Sequence, residues 1–266
     1  MSAMNISTNE QVLVERDGYV ATVTLNRPQK LNALNKYMWA RVGEIFCELD
    51  ADLNLRCVIL RGAGDKAVGS GADISEFEKE RNNSEQAAAY GRLMHGALHA
   101  IRDCRHPVLA RIRGLCLGGA LELALACDIR IAGESSSFGI PINKLGLVMA
   151  PPEIEVLVSL VGPSVALEIL YESRIFDAAE AREKGLINRV VPDGDVDREI
   201  TETIDRICAG APLVNQWHKK FVYGTNHGSP LSDEDEAESF ECFDTGDFQE
   251  GVRAFLAKNK PNFKGN

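Results

Sequence analysis

Apolar residues recur along this chain with two spacings, one typical of strands and the other typical of helices. In residues 19–25, apolar residues and threonines alternate, and an Asp17-Gly18 turn separates this run from the segment 11–14. Alternation next to an Asp-Gly turn predicts a β-hairpin. From residue 34 to residue 50 the apolar side chains fall three and four positions apart, which predicts a helix with one buried face.

Short apolar runs alternate with helical patterns through much of the remaining chain. The runs predict strands at residues 56–61, 107–112, 129–132 and 187–191. The helical patterns cover residues 87–104, 154–161, 164–171 and 178–184. Residues 78–85 are polar and predict an exposed segment, residues 135–152 predict a loop, and only helical patterns follow residue 196. The pattern therefore predicts a mixed α/β core over residues 1–195 and a helical region over residues 196–266.

Length and charge narrow the classes of protein to which the chain can belong. The 266 residues are 45% hydrophobic, which is enough for one large domain or for a core with a smaller appendage. The formal net charge of -10 argues against a nucleic-acid surface or an anionic membrane as partner. The seven cysteines form no Cys-x-x-Cys pair, which favours reduced thiols. Because the N-terminus is polar and no run approaches the ~20 apolar residues of a membrane span, we expect a cytoplasmic protein.

Two glycine-centred loops carry the strongest chemical signal in the sequence. One reads Gly69-Ser70-Gly71-Ala72-Asp73-Ile74, the other reads Gly118-Gly119-Ala120-Leu121-Glu122, and each is predicted to open a helix. The first residues of a helix have backbone N–H groups without intrahelical partners. Two such helix starts aimed at one point can bind the oxygen of an enolate or a tetrahedral intermediate. The loops therefore predict an oxyanion hole.

Glu122 lies within an otherwise apolar helical run, residues 121–127. Burial raises the pKa of an unpaired carboxyl group, which suits a general acid or base near neutral pH. The alternative is a structural ion pair across the core, for which Arg111, Arg113 and Arg130 are the nearby candidates. The residues alone leave both interpretations open.

Two further patterns do not predict sites. His95 and His99 lie four positions apart on a predicted helix, but no glutamate of a zinc-protease motif stands between them, so we interpret them as ordinary helix positions. Ser70 does not complete a Gly-x-Ser-x-Gly elbow because Val68 occupies the first position, which argues against a serine hydrolase. We predict no metal site.

Seven segments stand along the chain in an order that is characteristic of one protein family. They are Leu25-Asn26-Arg27-Pro28-Gln29-Lys30-Leu31-Asn32-Ala33-Leu34, Gly71-Ala72-Asp73-Ile74, residues 114–128, Phe138-Gly139, Leu145-Gly146, residues 250–256 and Lys260-Pro261-Asn262-Phe263. Over residues 11–265 the chain resembles the enoyl-CoA hydratase/isomerase (crotonase) superfamily. The resemblance implies a spiral of repeated ββα units, followed by a helical C-terminal oligomerisation region that assembles trimers or dimers of trimers.

The resemblance also implies an acyl-CoA thioester as substrate, with no separate cofactor. The Ala72 and Gly119 N–H groups would bind the thioester oxygen as it becomes an enolate, and Glu122 would be the acid/base. Lys66 would meet the phosphates of coenzyme A, and Phe263, from the same or a neighbouring subunit, would complete the site. The other substrate-binding positions that it implies are Lys30, Leu31, Ala33, Gly71, Asp73, Ile74, Gly118 and Ile142.

The chain departs from the family pattern at Ile142. A hydratase with two carboxylates has one glutamate where Glu122 stands and a second after the Phe-Gly-x-Pro segment, where this chain has Ile142. Isoleucine cannot transfer a proton, and losing one of two acid/base groups costs a factor on the order of 10² or more. Glu153 follows 11 positions later. It either faces the pocket or stands in the first turn of a helix, where the helix dipole favours a negative charge.

Three reactions of the family therefore stay open. Hydration or dehydration needs Glu153 or a water network in place of the missing glutamate. Decarboxylation of a malonyl-type thioester needs mainly the oxyanion hole, and double-bond isomerisation needs one base. A non-catalytic acyl-CoA-binding protein is the alternative from another class: Ile142 favours it, whereas Glu122, Ala72 and Gly119 argue against it.

Overall fold

The computed structural model describes residues 10–226 and 232–266. Within these ranges the alternating and short apolar segments form ten strands. They are β1 (Val12–Asp17), β2 (Val20–Leu25), β3 (Cys57–Gly62), β4 (Ala67–Gly69), β5 (Val108–Ile112), β6 (Leu115–Leu117), β7 (Ile129–Gly133), β8 (Ser137–Gly139), β9 (Phe176–Asp177) and β10 (Arg189–Val191).

The segments with helical spacing form α-helices over the same described ranges. They are α1 (Lys36–Asp50), α2 (Phe77–Glu80), α3 (Ser84–Asp103), α4 (Gly119–Leu125), α5 (Pro151–Glu172), α6 (Ala178–Glu183), α7 (Val196–Cys208), α8 (Pro212–Asn226), α9 (Asp233–Glu238) and α10 (Gly246–Leu256).

The strands form two sheets that share a repeating unit. The large sheet has the order β1-β2-β3-β5-β7-β10, with an antiparallel β1-β2 hairpin and parallel pairing elsewhere. The small sheet has the order β4-β6-β8-β9, with β9 antiparallel to β8. Each pair β3-β4, β5-β6 and β7-β8 gives one strand to each sheet before the chain enters a helix. This repeat, followed by helices α7 to α10, confirms the predicted mixed α/β fold with a helical C-terminal region.

The core lies on both faces of the large sheet. One buried cluster joins sheet residues such as Val58 to α1 and α3, where Trp39 and Tyr90 are among the largest buried side chains. A second cluster on the opposite face joins Cys57 to Val196 of α7. Adjacent strand residues point to opposite faces, so neighbouring positions of β3 enter different clusters. The first helix after residue 195 therefore covers the back of the core sheet.

Some predicted boundaries were wrong, and each error has a local cause. The predicted loop 135–152 contains β8 and a 3₁₀ turn, Pro141–Leu145, because a three-residue strand is too short to show an alternating pattern. The predicted break between helices 154–161 and 164–171 is confirmed, because α5 has non-helical backbone at Gly162 (φ 72°) before Pro163 and is two helices joined at a kink. Strands β4 and β6 were missed for the same reason as β8.

Helix α5 also corrects the expectation about membrane-spanning segments. By length and composition alone, Pro151–Glu172 is long and apolar enough to cross a membrane, so the expectation that no segment comes near this threshold was wrong. The sequence pattern divides the segment at Gly162-Pro163, and neither half reaches the length of a span. The kink at the same place bends the helix in the structure.

Candidate active site

The two glycine loops lie against each other. Gly71 and Gly118 both have positive φ, at 101° and 48°, a region that glycine adopts without steric cost. A Cβ atom placed on Gly118 would lie 3.5 Å from the Cα of Gly71. The backbones of the two loops therefore lie close together, and the residues that follow the two glycines, Ala72 and Gly119, border one cavity.

The first loop is held in place by the segment before α1. The Leu34 N–H donates to the Gly71 carbonyl at 2.8 Å, and the Asp73 N–H donates to the Leu34 carbonyl at 2.7 Å. These two hydrogen bonds form a single parallel bridge between Leu34 and Ala72. The bridge uses the groups on either side of Ala72 and not the N–H of Ala72 itself. The Ala72 N–H consequently has no hydrogen-bond partner among the described residues and is available to a ligand.

The second loop presents the first N–H of α4. Gly119 is the first residue of that helix, so its N–H has no acceptor within the helix, and the described residues provide none elsewhere. A Cβ atom at Gly119 would lie 2.6 Å from Cζ2 of the buried Trp39 ring, which requires glycine at this position. Two unpartnered N–H groups at one cavity can bind a carbonyl oxygen that gains negative charge.

Glu122 stands one turn into α4 and is buried. Every residue of this helix is buried, and the Oε2 atom of Glu122 has no hydrogen-bond partner in the part of the chain that the structure describes. Burial in these surroundings, and secondly the negative charge of Glu153, raise the pKa of Glu122 to about 8. Glu122 therefore holds a proton at neutral pH and releases it as the pH rises past about 8.

The alternative interpretation of Glu122 as half of a structural ion pair with a nearby arginine was wrong. Arg111 pairs with Asp197 at 2.6 Å, and Arg113 pairs with Asp65 at 2.9 Å. The Arg130 guanidinium donates instead to backbone carbonyl groups. All three arginines thus have other partners.

Glu153 meets both descriptions that the sequence left open. It stands in the first turn of α5, where its Oε2 accepts a hydrogen bond from the Ala150 N–H at 2.9 Å. It is also buried and borders the same cavity as Glu122. Capping the helix and bordering the cavity are therefore compatible in one residue.

His95 contacts the site residue Glu153, and the sequence did not reveal this contact. Its Nε2 atom lies 3.0 Å from Oε1 of Glu153, and its side chain on α3 is 23% exposed. The two residues are 58 positions apart on different helices. The histidine spacing on α3 indicated only a helix, and no local pattern relates His95 to α5, so the sequence carried no signal for this pair.

The cavity brings together most of the predicted catalytic positions. Its volume is about 200 Å³. The predicted residues that border it are Gly71, Ala72, Ile74, Gly118, Gly119, Glu122, Ile142 and Glu153. It also contains Arg81, from the stretch that the polar pattern assigned to an exposed segment.

The remaining predicted substrate residues lie beside or away from this cavity. Leu31 and Ala33 belong to the segment that pairs with the first loop, where the Leu31 carbonyl accepts from Ser70 N–H at 3.0 Å. Lys66 is exposed at the opposite end of β4 from Ala72. Phe263 lies in a separate apolar groove beside α10, so within one chain it does not border the cavity.

Lys30 and Asp73 form part of a charged cluster next to the first loop. Asp73 accepts from Arg27 at 2.9 Å and from Lys30 at 3.2 Å. Hydrogen bonds from Ser75 and then from Arg27 hold the pKa of Asp73 well below its usual range. These bonds fix the position of the loop that carries Ala72.

Known proteins resemble this chain over nearly its whole length. A family model described as enoyl-CoA hydratase/isomerase matches residues 15–266. The crystal structure of an enoyl-CoA hydratase/carnithine racemase from Magnetospirillum magneticum is 49% identical, covers 97% of this chain and 96% of its own, and superposes with a TM-score of 0.95. The short-chain-enoyl-CoA hydratase of Clostridium acetobutylicum is 35% identical over 254 residues, which are 94% of this chain and 95% of the relative.

A second curated relative, the crotonyl-CoA hydratase of Syntrophomonas wolfei, is 33% identical over 260 residues, which are 96% of this chain and 98% of the relative. The matches confirm the fold and the resemblance inferred from the motifs. The chain belongs to the enoyl-CoA hydratase/isomerase family and is an acyl-CoA enzyme of that family.

Proposed function

We propose that this enzyme reversibly adds water to short 2-enoyl-CoA thioesters, with Glu122 and Glu153 as its two acid/base groups. The observation that carries this proposal is the presence of Glu153 at the same cavity as Glu122, although Ile142 occupies the family's second glutamate position. Both relatives described above carry hydratase names, which supports the same reaction class.

The thioester binds with its carbonyl oxygen between the N–H groups of Ala72 and Gly119. Addition at C3 of the enoyl group moves electrons onto this oxygen, and the two N–H donors stabilise the resulting enolate. Removing one such donor typically costs about 10²- to 10³-fold in rate. The free donors at Ala72 and Gly119 support this step because no other described group occupies them.

Proton transfer is then divided between the two carboxyl groups. Glu153 takes a proton from water as the water oxygen bonds to C3 and the electron pair of the C2–C3 double bond moves onto the thioester. Glu122, protonated at neutral pH, gives its proton to C2 as the enolate returns to a thioester. Transfer of the proton from Glu153 back to Glu122 through the next water molecule closes the cycle. The product is a 3-hydroxyacyl-CoA, and no other reactant is consumed.

His95 positions Glu153 in this scheme. Its contact with Oε1 and the Ala150 N–H at Oε2 together fix both oxygens of the carboxylate. A base must lie within hydrogen-bond reach of the proton that it removes, so restricting its rotation favours the productive geometry.

Mass spectrometry of an acyl-CoA mixture tests the reaction directly. The pure protein is incubated with 2-enoyl, 3-enoyl, 3-hydroxyacyl and malonyl-type thioesters, and each species is followed by its mass. We expect the 2-enoyl thioester to gain one water and the 3-hydroxyacyl thioester to lose one. Loss of CO₂ from the malonyl-type ester without any change in water content would instead indicate a decarboxylase.

Three variants assign the two carboxyl groups. E122Q and E153Q keep the side-chain shape, and each is expected to lower kcat by about 10²- to 10⁴-fold. Glu155, exposed on the same helix two positions after Glu153, provides the control E155Q, for which wild-type kcat is expected. Full activity of E153Q would remove Glu153 from the mechanism, and full activity of E122Q would overturn the proposed hydration.

A further inference from the structure

Arg81 brings an unpaired positive charge to the cavity that contains Glu122 and Glu153. It directly follows α2, and its backbone N–H donates to the Phe77 carbonyl at 2.9 Å. Within residues 10–226 and 232–266, its guanidinium forms neither an ion pair nor a hydrogen bond. Most other arginines close to the core, such as Arg27 and Arg111, have a carboxylate partner.

Two aromatic rings hold the guanidinium in place. Its central carbon lies 4.7 Å from the centroid of the Phe77 ring and 4.9 Å from that of the buried Tyr90 ring. Such cation–π contacts fix a guanidinium through its faces and leave its N–H groups free at the edge. Arg81 is therefore oriented without using any of its five donors.

Neither carboxyl group of the site forms an ion pair with Arg81, although the positive charge of Arg81 lowers the pKa of Glu122 against the larger effects of burial and Glu153. Glu122 is protonated at neutral pH, and the oxygens of Glu153 are engaged by the Ala150 N–H and His95. Apart from these groups the cavity wall is largely apolar, with side chains such as Met94 and Leu147. A free guanidinium in such a wall favours a planar anion, which it binds through two parallel hydrogen bonds.

The position of the Arg81 guanidinium at this cavity indicates which part of the substrate it contacts. Because Glu122 and Glu153, which act at C2 and C3 in the proposed reaction, border the same cavity as Ala72 and Gly119, the acyl chain is the portion that enters it. The volume of about 200 Å³ is below the roughly 300–1,000 Å³ of typical small-molecule sites, which fits a short chain. We propose that Arg81 binds a carboxylate at the end of this chain, so that the preferred substrates are short enoyl-CoA thioesters of dicarboxylic acids. This inference rests on the proposed function for the position of the thioester and adds the identity of the acyl group.

A binding experiment that needs no turnover tests the inference separately from the reaction. Glutaryl-CoA and pentanoyl-CoA are saturated five-carbon thioesters that differ in a terminal carboxylate, and their affinities are compared by titration calorimetry. We expect wild-type protein to bind glutaryl-CoA about 10- to 100-fold more tightly, the range for a hydrogen bond to a charged group. Equal affinities would overturn the inference, whether or not the enzyme hydrates any thioester.

Variants of Arg81 then assign the preference. R81M is expected to bring the affinity ratio close to one, and R81K to retain part of it, because lysine keeps the charge but not the planar pair of donors. Arg92, exposed on α3 outside the cavity, provides the control R92M with the same loss of charge, and it should keep the wild-type ratio. An unchanged affinity ratio in R81M, or an equal loss of affinity for both esters and for free coenzyme A, would show that Arg81 does not bind the acyl group.

A measurement of turnover separates the proposed hydration from the proposed preference for an acyl carboxylate. Glutaconyl-CoA and 2-pentenoyl-CoA are the corresponding enoyl thioesters, and water gain is measured by mass for each. Discrimination in binding without water gain would retain the acyl preference and overturn hydration. Water gain at equal kcat/KM for both esters would do the reverse.

Discussion

A carboxyl group as deeply buried as that of Glu122 makes the stability of the fold depend on pH. Its pKa is about 8 in the folded chain against an ordinary value of 4.5, so between these values the folded state binds more protons than the unfolded state. Stability from this residue is complete below the lower value and falls as pH rises through the upper one. The slope is at most about 1.4 kcal/mol per pH unit for a single proton.

The variant E122Q isolates this contribution because glutamine does not ionise. We expect its free energy of unfolding to match that of the wild type near pH 5 and to exceed it at pH 9. Urea unfolding at pH 5, 7 and 9 measures the difference in unfolding free energy between E122Q and wild type. E155Q, which changes an exposed glutamate, is the control. A constant difference between E122Q and wild type across this range would show that Glu122 ionises normally in the folded protein.

A glutamate at position 142 provides a second test at the residue scale. Ile142 borders the cavity, so I142E would supply a carboxyl group where the family pattern has one. In the background of E153Q, we expect this change to restore water addition by about tenfold or more over E153Q alone, which is part of the roughly 10²- to 10⁴-fold contribution of a well-positioned acid/base group. Rates for the single and double variants with a 2-enoyl-CoA measure the rescue. No rescue in a folded double variant would mean that position 142 does not reach the reacting atoms.

At the scale of elements, the site depends on contacts between segments that are distant in the sequence. The period-two hairpin and the long amphipathic pattern of α1 were predictable, because each repeats its period several times. Strands of three residues, such as β4 and β8, do not complete a pattern and became visible only through pairing with β6. The glycine loops were predictable from their local sequence. The His95–Glu153 pair was not, because it depends on the packing of two distant helices, and Arg81 lies in a polar stretch typical of an exposed surface.

The start of α4 is the element for which packing makes the sharpest prediction. In G119A, the new methyl group would meet the Trp39 ring at 2.6 Å, so either the ring or the helix start must move. We expect a loss of about 1–3 kcal/mol in unfolding free energy and a fall of about 10²-fold or more in kcat. Thermal unfolding and the rate of water addition measure the two effects.

The control for this substitution is G96A on α3, where a Cβ would have no neighbour within 4 Å among the described residues. Alanine in an exposed helix interior is favoured over glycine by about 0.5–1 kcal/mol, so G96A should be at least as stable as wild type and retain full activity. Equal behaviour of the two variants would show that Gly119 is not constrained by Trp39.

At the scale of the whole molecule, much apolar surface lies outside the core. Phe255 and Leu256 at the end of α10 are 81% and 77% exposed, and both line the apolar groove that contains Phe263. Exposed apolar patches of this kind typically mark contacts with another protein surface. We propose that copies of this chain cover them in a trimer or a dimer of trimers.

Light scattering after size-exclusion chromatography tests the assembly. We expect a mass of three or six chains for wild type and a smaller mass for the double variant F255D/L256D, because burying two carboxylates in an apolar interface is costly. Leu53, which is 74% exposed in the segment after α1, provides the control L53D with unchanged mass. A monomeric wild-type protein at micromolar concentration would contradict the assembly.

The position of Glu153 on α5 has a consequence for how this enzyme could change its substrates. Where the second carboxylate lies after β8, the same residue serves as acid/base and as part of the wall around the acyl chain. Here Ile142 keeps only its place in the wall, while the proposed base comes from the first turn of another helix. Residue 142 is thereby free to vary in size and polarity without loss of the proton-transfer group, so selectivity for the acyl chain and reactivity toward it are open to independent adaptation.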